Sequence, residues 1–319
     1  MVTANEFDEA ACDTYEKNRK GVKLIRGDIT LPETKDEICK PFKKIPCDVV
    51  CGGPPCVAHS PAGRRNSQDP RGRLWRDYME IVKRLKPGVC VMENVPGICR
   101  AREGEKTPVI NHILRAFKAA GYRADAAVYI SADFGVPQIR KRMIIVASRV
   151  DLPLIPAHTT HRKKHMGVME AIADLMDMEE DKEFCHTFPQ LTSDVKERIG
   201  KLKQGESLYE YGDGQTRPYG NRPVFSVKAS PGGNFVHPER NRLLSPRELA
   251  RLQCFPDTYR FLGSRTKQMH QVGNAVPVKL AKAVALSVLP LLEFIEFRRN
   301  PNEIWDGFKA MLERKKGKA

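Results

Sequence analysis

An α/β fold built on a Rossmann-like, doubly wound and mostly parallel sheet is what this sequence predicts, and three observations predict it. The first half alternates short β-rich runs with amphipathic helical stretches. One apolar run, Cys47 to Cys51, stops at Gly52-Gly53-Pro54-Pro55-Cys56. Glycine lets a backbone pass close to a ligand and proline limits how far a loop relaxes, so this is a stiff mount for the next side chain. A second run, Val89 to Met92, stops at Glu93-Asn94-Val95. Ligands of such sheets sit at the carboxyl ends of strands, which puts both loops in one expected site.

The elements follow in order. Phe7 to Asn18 reads as a helix, Val22 to Ile25 as a strand and Cys47 to Cys51 as a buried strand. Arg73 to Leu85 is a helix whose apolar stripe is Leu74, Tyr78, Ile81, Val82 and Leu85. Val89 to Met92 is a strand, Val109 to Ala120 a helix and Met143 to Ala147 a strand. Around Asp151 the alternation breaks at Pro153 and Pro156, and Met169 to Met176 is a short helical piece. Gly, Pro, Tyr and Arg then dominate from Gly205 to Gly233, so this middle segment reads as a small irregular domain. Order returns at Ser245-Pro246-Arg247-Glu248, where serine, proline and glutamate take the N-cap, first and third positions of a helix. Another helix begins at Pro277. Three segments result: residues 1–150 as the α/β domain, 151–240 as a small irregular region, and 241–319 as helices returning to the first.

A chain of 319 residues has ample length to bury a core. No apolar run is read as approaching the ~18 residues of a membrane span, and the N-terminus shows no signal-peptide pattern. Nine cysteines, an odd number without framework spacing, point to free thiols in a reducing cytoplasm. The net charge of +15 favours a polyanionic partner, nucleic acid first. Arg64-Arg65 beside the cysteine loop and Arg162-Lys163-Lys164 are placed to touch a phosphate backbone. Arg314 to Lys318 reads as a solvated tail. His158, His161 and His165 lack the partners and spacing of a zinc site, so no metal is expected.

The chemistry of these groups is specific. A cysteine becomes a strong nucleophile as its thiolate, which nearby arginines favour. A glutamate holds or shares a proton on a ring nitrogen. Arg140 and Arg142, on one face if this segment is strand, bind a carbonyl oxygen, a carboxylate or a phosphate. Together they activate a pyrimidine: thiolate addition at C6 with protonation at N3 makes C5 nucleophilic.

The ordered series of motifs resembles the cytosine-C5 DNA methyltransferases. It runs from Asn5-Glu6 and Gly27-Asp28-Ile29 through the cysteine loop, Glu93-Asn94-Val95 and Gln138 to Arg142. It continues through Arg242 to Glu248, Leu252-Gln253-Cys254-Phe255-Pro256, and Gln271-Val272-Gly273-Asn274-Ala275-Val276-Pro277. The resemblance implies that Cys56 bonds C6, that Glu93 contacts N3 and the exocyclic amine, and that Arg142 binds the cytosine O2 with Arg140 in support. Ser60 would contact the phosphate of the displaced nucleotide, since base-modifying enzymes take their target out of the duplex. The implied methyl donor is S-adenosylmethionine, with Glu6 on its ribose hydroxyls, Asp28 on its adenine amine, and Pro55, Leu74 and Asn274 as further contacts. The implied partner is double-stranded DNA, with a cognate restriction endonuclease beside it.

The sequence departs from the family at its start. The family opens with a strand and a Phe-x-Gly-x-Gly turn, whereas here Met1 to Glu6 already reads as the second strand. A start codon placed downstream, a separate chain supplying the piece, and a decayed gene compete as explanations, and the abrupt, full-strength match favours the first. Val57 and His59 also stand where the family has glutamine and phenylalanine. Two other functions stay open: a catalytically inactive or split DNA-binding remnant, and a tRNA cytosine-C5 methyltransferase.

Overall fold

Capping residues, glycines and prolines set where each element begins and ends. The structure is a computed structural model and describes residues 2–55, 70–102, 107–209, 215–230 and 235–299. β1 (Thr3–Glu6) leads to Asp8, whose carboxylate accepts the Ala11 amide and caps α1 (Glu9–Asn18). That cap is why the helix starts at Glu9 and not at Phe7. β2 (Lys23–Arg26) pairs in parallel with β1, from Thr3↔Lys23 to Glu6↔Arg26. α2 (Pro32–Cys39) follows with proline in its first turn.

A four-stranded sheet holds β3 (Val49–Gly52), β4 (Val89–Asn94), β5 (Arg123–Ile130) and β6 (Lys141–Ser148) in the order β3-β4-β6-β5. β3 and β4 are parallel, whereas β6 runs antiparallel to β4, from Val89↔Ser148 to Asn94↔Met143. Residues 131–140, between β5 and β6, are too few for the crossover a parallel neighbour requires, so β6 enters the sheet reversed. The α/β class holds, and one reversed strand is consistent with a sheet expected to be mostly parallel. α3 (Trp75–Leu85) and α4 (Val109–Ala119) supply Tyr78, Met79, Val82, Val109, Ile113 and Phe117 to a core shared with Cys90, Met92, Met143 and Ile145.

The later helices are α5 (Met169–Ile172), α6 (Ser193–Lys201), α7 (Pro246–Leu252), α8 (Arg265–Asn274) and α9 (Val278–Arg299). α6 adds a helix to the middle segment that no sequence signal announced. Thr192 caps it through the Val195 amide, and with only Ile199 buried its apolar stripe is too thin to read. α7 carries the capping box that its Ser-Pro-Arg-Glu order predicts. The helical stretch Arg265–Arg299, α8 and α9 together, is by length and composition apolar enough to cross a membrane, which amends the expectation that no run approaches that length. Core helices pass the same test, and α9 buries Leu280, Val284, Val288 and Leu291 in protein.

The chain divides into two compact units. One comprises Met1–Pro41, Val128–Arg142 and His158–Ala283; the other comprises Phe42–Ala127, Met143–Ala157 and Val284–Ala319. The first is termed unit 1 and the second unit 2. Unit 1 has its own core of Val168, Ile172, Val224, Val227, Leu249, Leu252, Phe261, Met269 and Val272.

Candidate active site

In unit 2 the register of two parallel strands positions the expected catalytic loop. Gly52 lies opposite Met92, so Gly53 and Glu93 leave β3 and β4 side by side. A Cβ on Gly53 would stand 3.0 Å from Glu93 Oε2, so the carboxylate occupies space that only glycine leaves open. Asn94 Nδ2 donates to Pro54 O at 3.0 Å, and Asn94 Oδ1 accepts from the Val95 amide, fixing the loop from the neighbouring strand. Behind it the Tyr78 ring packs where a Cβ on Gly52 would be, and its hydroxyl lies 2.9 Å from Val50 O. The two glycines thus serve opposite sides of the same backbone. Pro55 is exposed and Leu74 half-buried. Desolvation, with the Glu93 charge second, raises the Cys51 pKa, so Cys51 stays a thiol at neutral pH. Cys56, Ser60, Arg64 and Arg65 lie outside the described residues.

Gly53→Ala is expected to displace Glu93 by a few tenths of an ångström and to lower turnover by about 10- to 100-fold, given how steeply rate depends on catalytic geometry. Steady-state kinetics on the purified variant check this. Unchanged turnover would show that Glu93 needs no such close approach.

In unit 1 the carboxyl ends of β1 and β2 carry the other expected carboxylates. Glu6 Oε1 accepts the amides of Phe7 (2.8 Å) and Asp8 (3.0 Å), and Asp28 Oδ1 accepts the Thr30 amide at 2.9 Å. Asn5 Nδ2 donates to Ile25 O and Gly27 O, which ties the two strand ends together. Both carboxylates are held by their own turns at one end of a parallel pair.

Arg140 is placed differently from a substrate contact. It is buried, with Nη1 donating to Val227 O at 2.8 Å and Nη2 to Gly273 O at 2.6 Å. Gln138 and Gln253 extend the clamp. Gln138 Nε2 donates to Gln253 Oε1, Gln138 Oε1 accepts the Val227 amide, and Gln253 Nε2 donates to Val272 O. These bonds fix the end of α8, where Asn274 is exposed. Arg142 is the second residue of β6, half-buried, with Nη1 donating to Lys141 O. The sequence names Gln138 and Gln253 as motif residues, but only the fold shows that their amides join.

A family model, C-5 cytosine-specific DNA methylase, matches residues 1–289. The chain belongs to the C-5 cytosine-specific DNA methylases. It is 33% identical to the type II methyltransferase M1.HphI of Haemophilus parahaemolyticus, over 90% of this chain and 80% of that protein. It is 29% identical to type II methyltransferase M.DdeI of Desulfomicrobium norvegicum, over 98% of this chain and 88% of that protein. A crystal structure described as a prophage-encoded DNA modification methyltransferase of E. coli superposes with a TM-score of 0.77 at 24% identity, covering 92% of this chain and 93% of that one.

Two arginines, Arg217 buried and Arg242 half-buried, hold the later part of unit 1 of the methylase together. Arg217 donates to the carbonyls of His237 (2.8 Å) and Ile199 (2.7 Å) and to Asn241 Oδ1, gathering three separate segments. Arg242 makes a two-pronged contact with the buried Glu248 carboxylate, each prong 2.8 Å, which anchors the α7 capping box. His237, wholly buried, accepts the Glu239 and Arg240 amides at Nδ1.

Burial, reinforced by the neighbouring arginine charges, holds the His237 pKa down to about 3. An unfolded histidine titrates near ~6.5, so between those values the unfolded chain binds the extra proton. The stability from neutral His237 is therefore full above ~6.5 and is lost as pH falls toward 3, by up to about 1.4 kcal/mol per pH unit. Denaturation between pH 7.5 and 5 is expected to show a shallower loss for His237→Gln than for wild type. Equal slopes would remove His237 from the acid response.

Proposed function

We propose that this methylase modifies C5 of cytosine in duplex DNA through a covalent Cys56 adduct, with Glu93 as the proton-handling partner. The observation that carries this reading is the fit of the Glu93 carboxylate against Gly53, on the loop that leads to Cys56. The Cys56 thiolate adds to C6 of the extruded base, and Glu93 supports the charge that develops at N3 and the exocyclic amine. Arg142 binds O2, while Arg140 acts from behind, by holding Val227 and Gly273. Loss of the C5 proton and of the thiol then restores the ring.

S-adenosylmethionine supplies the electrophilic methyl group when bound. The residues present fit it: two carboxylates, Glu6 and Asp28, stand at the carboxyl end of a parallel strand pair, where hydroxyl and amine donors are accepted. Glu6 would take the ribose hydroxyls and Asp28 the adenine amine, with Pro55, Leu74 and Asn274 completing the contacts. A cognate restriction endonuclease and a cytoplasmic setting accord with the type II relatives. Methyl transfer from labelled S-adenosylmethionine to unmethylated duplex DNA tests the reading, and 5-methylcytosine is the expected product. Methylation of tRNA but not of duplex DNA would overturn the substrate, and no transfer at all would favour a DNA-binding remnant.

A further inference from the structure

We propose that a cleft in unit 1, bounded by residues 159–166, Glu170 and Lys279, is a preformed seat for the sugar–phosphate backbone of duplex DNA; this rests on the reading that the substrate is DNA. The cleft encloses about 690 Å³. Arg162, Lys163, Lys164 and Lys279 line it against one carboxylate, Glu170, so its lysines and arginine outnumber its acidic residues four to one. Glu170 Oε1 is already engaged by the Gly167 amide at 2.7 Å. A run of cations is ordinarily a solvated face, and two features set this one apart.

The first is preorganisation. The amides of Thr160 and His161 both donate to Asp133 O, at 3.0 and 2.9 Å, and His165 Nε2 meets Asp133 Oδ1 at 2.9 Å. The His161 ring lies over Gly135, where a Cβ would come 2.7 Å from its Cε1. Lys279, from the first turn of α9, donates to Gly135 O at 2.9 Å, and its ammonium retains further donors for an anion. The cationic loop is therefore pinned to the turn at residues 131–135 instead of trailing in solvent. The second feature is position. That turn runs directly into Gln138–Arg142, the segment that delivers Arg142. Contacts to backbone phosphates fix the register of a protein on a duplex without reading its sequence.

Fluorescence anisotropy of the full chain with a labelled mixed-sequence duplex, repeated across salt concentrations, tests this. Each phosphate contact contributes about 0.9 to the slope of log affinity against log salt. The triple variant R162Q/K163Q/K164Q is expected to flatten the slope by about 2 to 3 and K279Q by about 1, with affinity falling alike on unrelated sequences. Wild-type slope and affinity in both variants would overturn the cleft while leaving the methylation reading intact. Wild-type protein that binds no duplex DNA would overturn that reading and the cleft with it. Circular dichroism monitors folding, and if the triple variant unfolds, K163Q and K279Q decide alone.

Discussion

Glu93→Gln is expected to lower methyl transfer to duplex DNA by about 10²- to 10⁴-fold, the range for loss of a positioned acid or base. The substitution keeps the shape of the side chain, so the close fit beside Gly53 survives and the fold is undisturbed. What it removes is the negative charge and the ability to share a proton with the ring nitrogen. Attack at C6 then develops charge at N3 that no shared proton relieves, leaving only Arg142 at O2 to stabilise it. DNA affinity should change little, because backbone phosphates carry much of the binding to duplex DNA. Single-turnover kinetics beside an equilibrium binding titration separate the two effects. Turnover equal to wild type would strike Glu93 from the catalytic residues.

Gly273→Ala is expected to cost about 3 kcal/mol of stability, at the upper end for overpacking a close-packed position. A Cβ there would lie 2.4 Å from Ala229 N, Lys228 C and Lys228 O. All three are backbone atoms, so no rotamer change relieves the contact. Either α8 or the 228–229 segment must move, and both are held by Arg140 through Gly273 O and Val227 O. The same shift would displace Asn274, so cofactor affinity should fall with stability. Urea denaturation and calorimetry with S-adenosylmethionine measure the two. A variant within about 0.5 kcal/mol of wild type would mean that the two backbones are not locked together.

Much of the fold is legible in the sequence, for local reasons. Gly52-Gly53-Pro54-Pro55 announces a stiff loop, and Ser245 to Glu248 announces a capped helix, because each signal lies within a few residues. β3 and β4 are readable as compact apolar runs. β5 (Arg123–Ile130) escapes notice because alanine supplies half of its apolar residues and Arg123 and Asp125 interrupt them, and α2 because glutamate, lysine and aspartate dominate it. The reversed direction of β6 depends on the shortness of the link before it, which periodicity does not report. Roles are harder to read in the sequence than residue types. Arg140 and Arg217 look in sequence like surface charges or anion binders. In the fold they are buried and gather backbone carbonyls from segments far apart in the chain, an arrangement with no local signature. The Gly53–Glu93 contact also depends on strand register, which only pairing fixes.

The most direct measurement is covalent trapping on a duplex carrying 5-fluorocytosine, in the presence of S-adenosylmethionine. Fluorine at C5 cannot leave as a proton does, so an enzyme that adds a thiolate to C6 stays bonded to the DNA. Wild-type protein is expected to form a complex that survives denaturation, and Cys56→Ser to form none and to transfer no methyl groups. A Cys56→Ser protein that methylates duplex DNA at the wild-type rate would contradict the covalent mechanism outright.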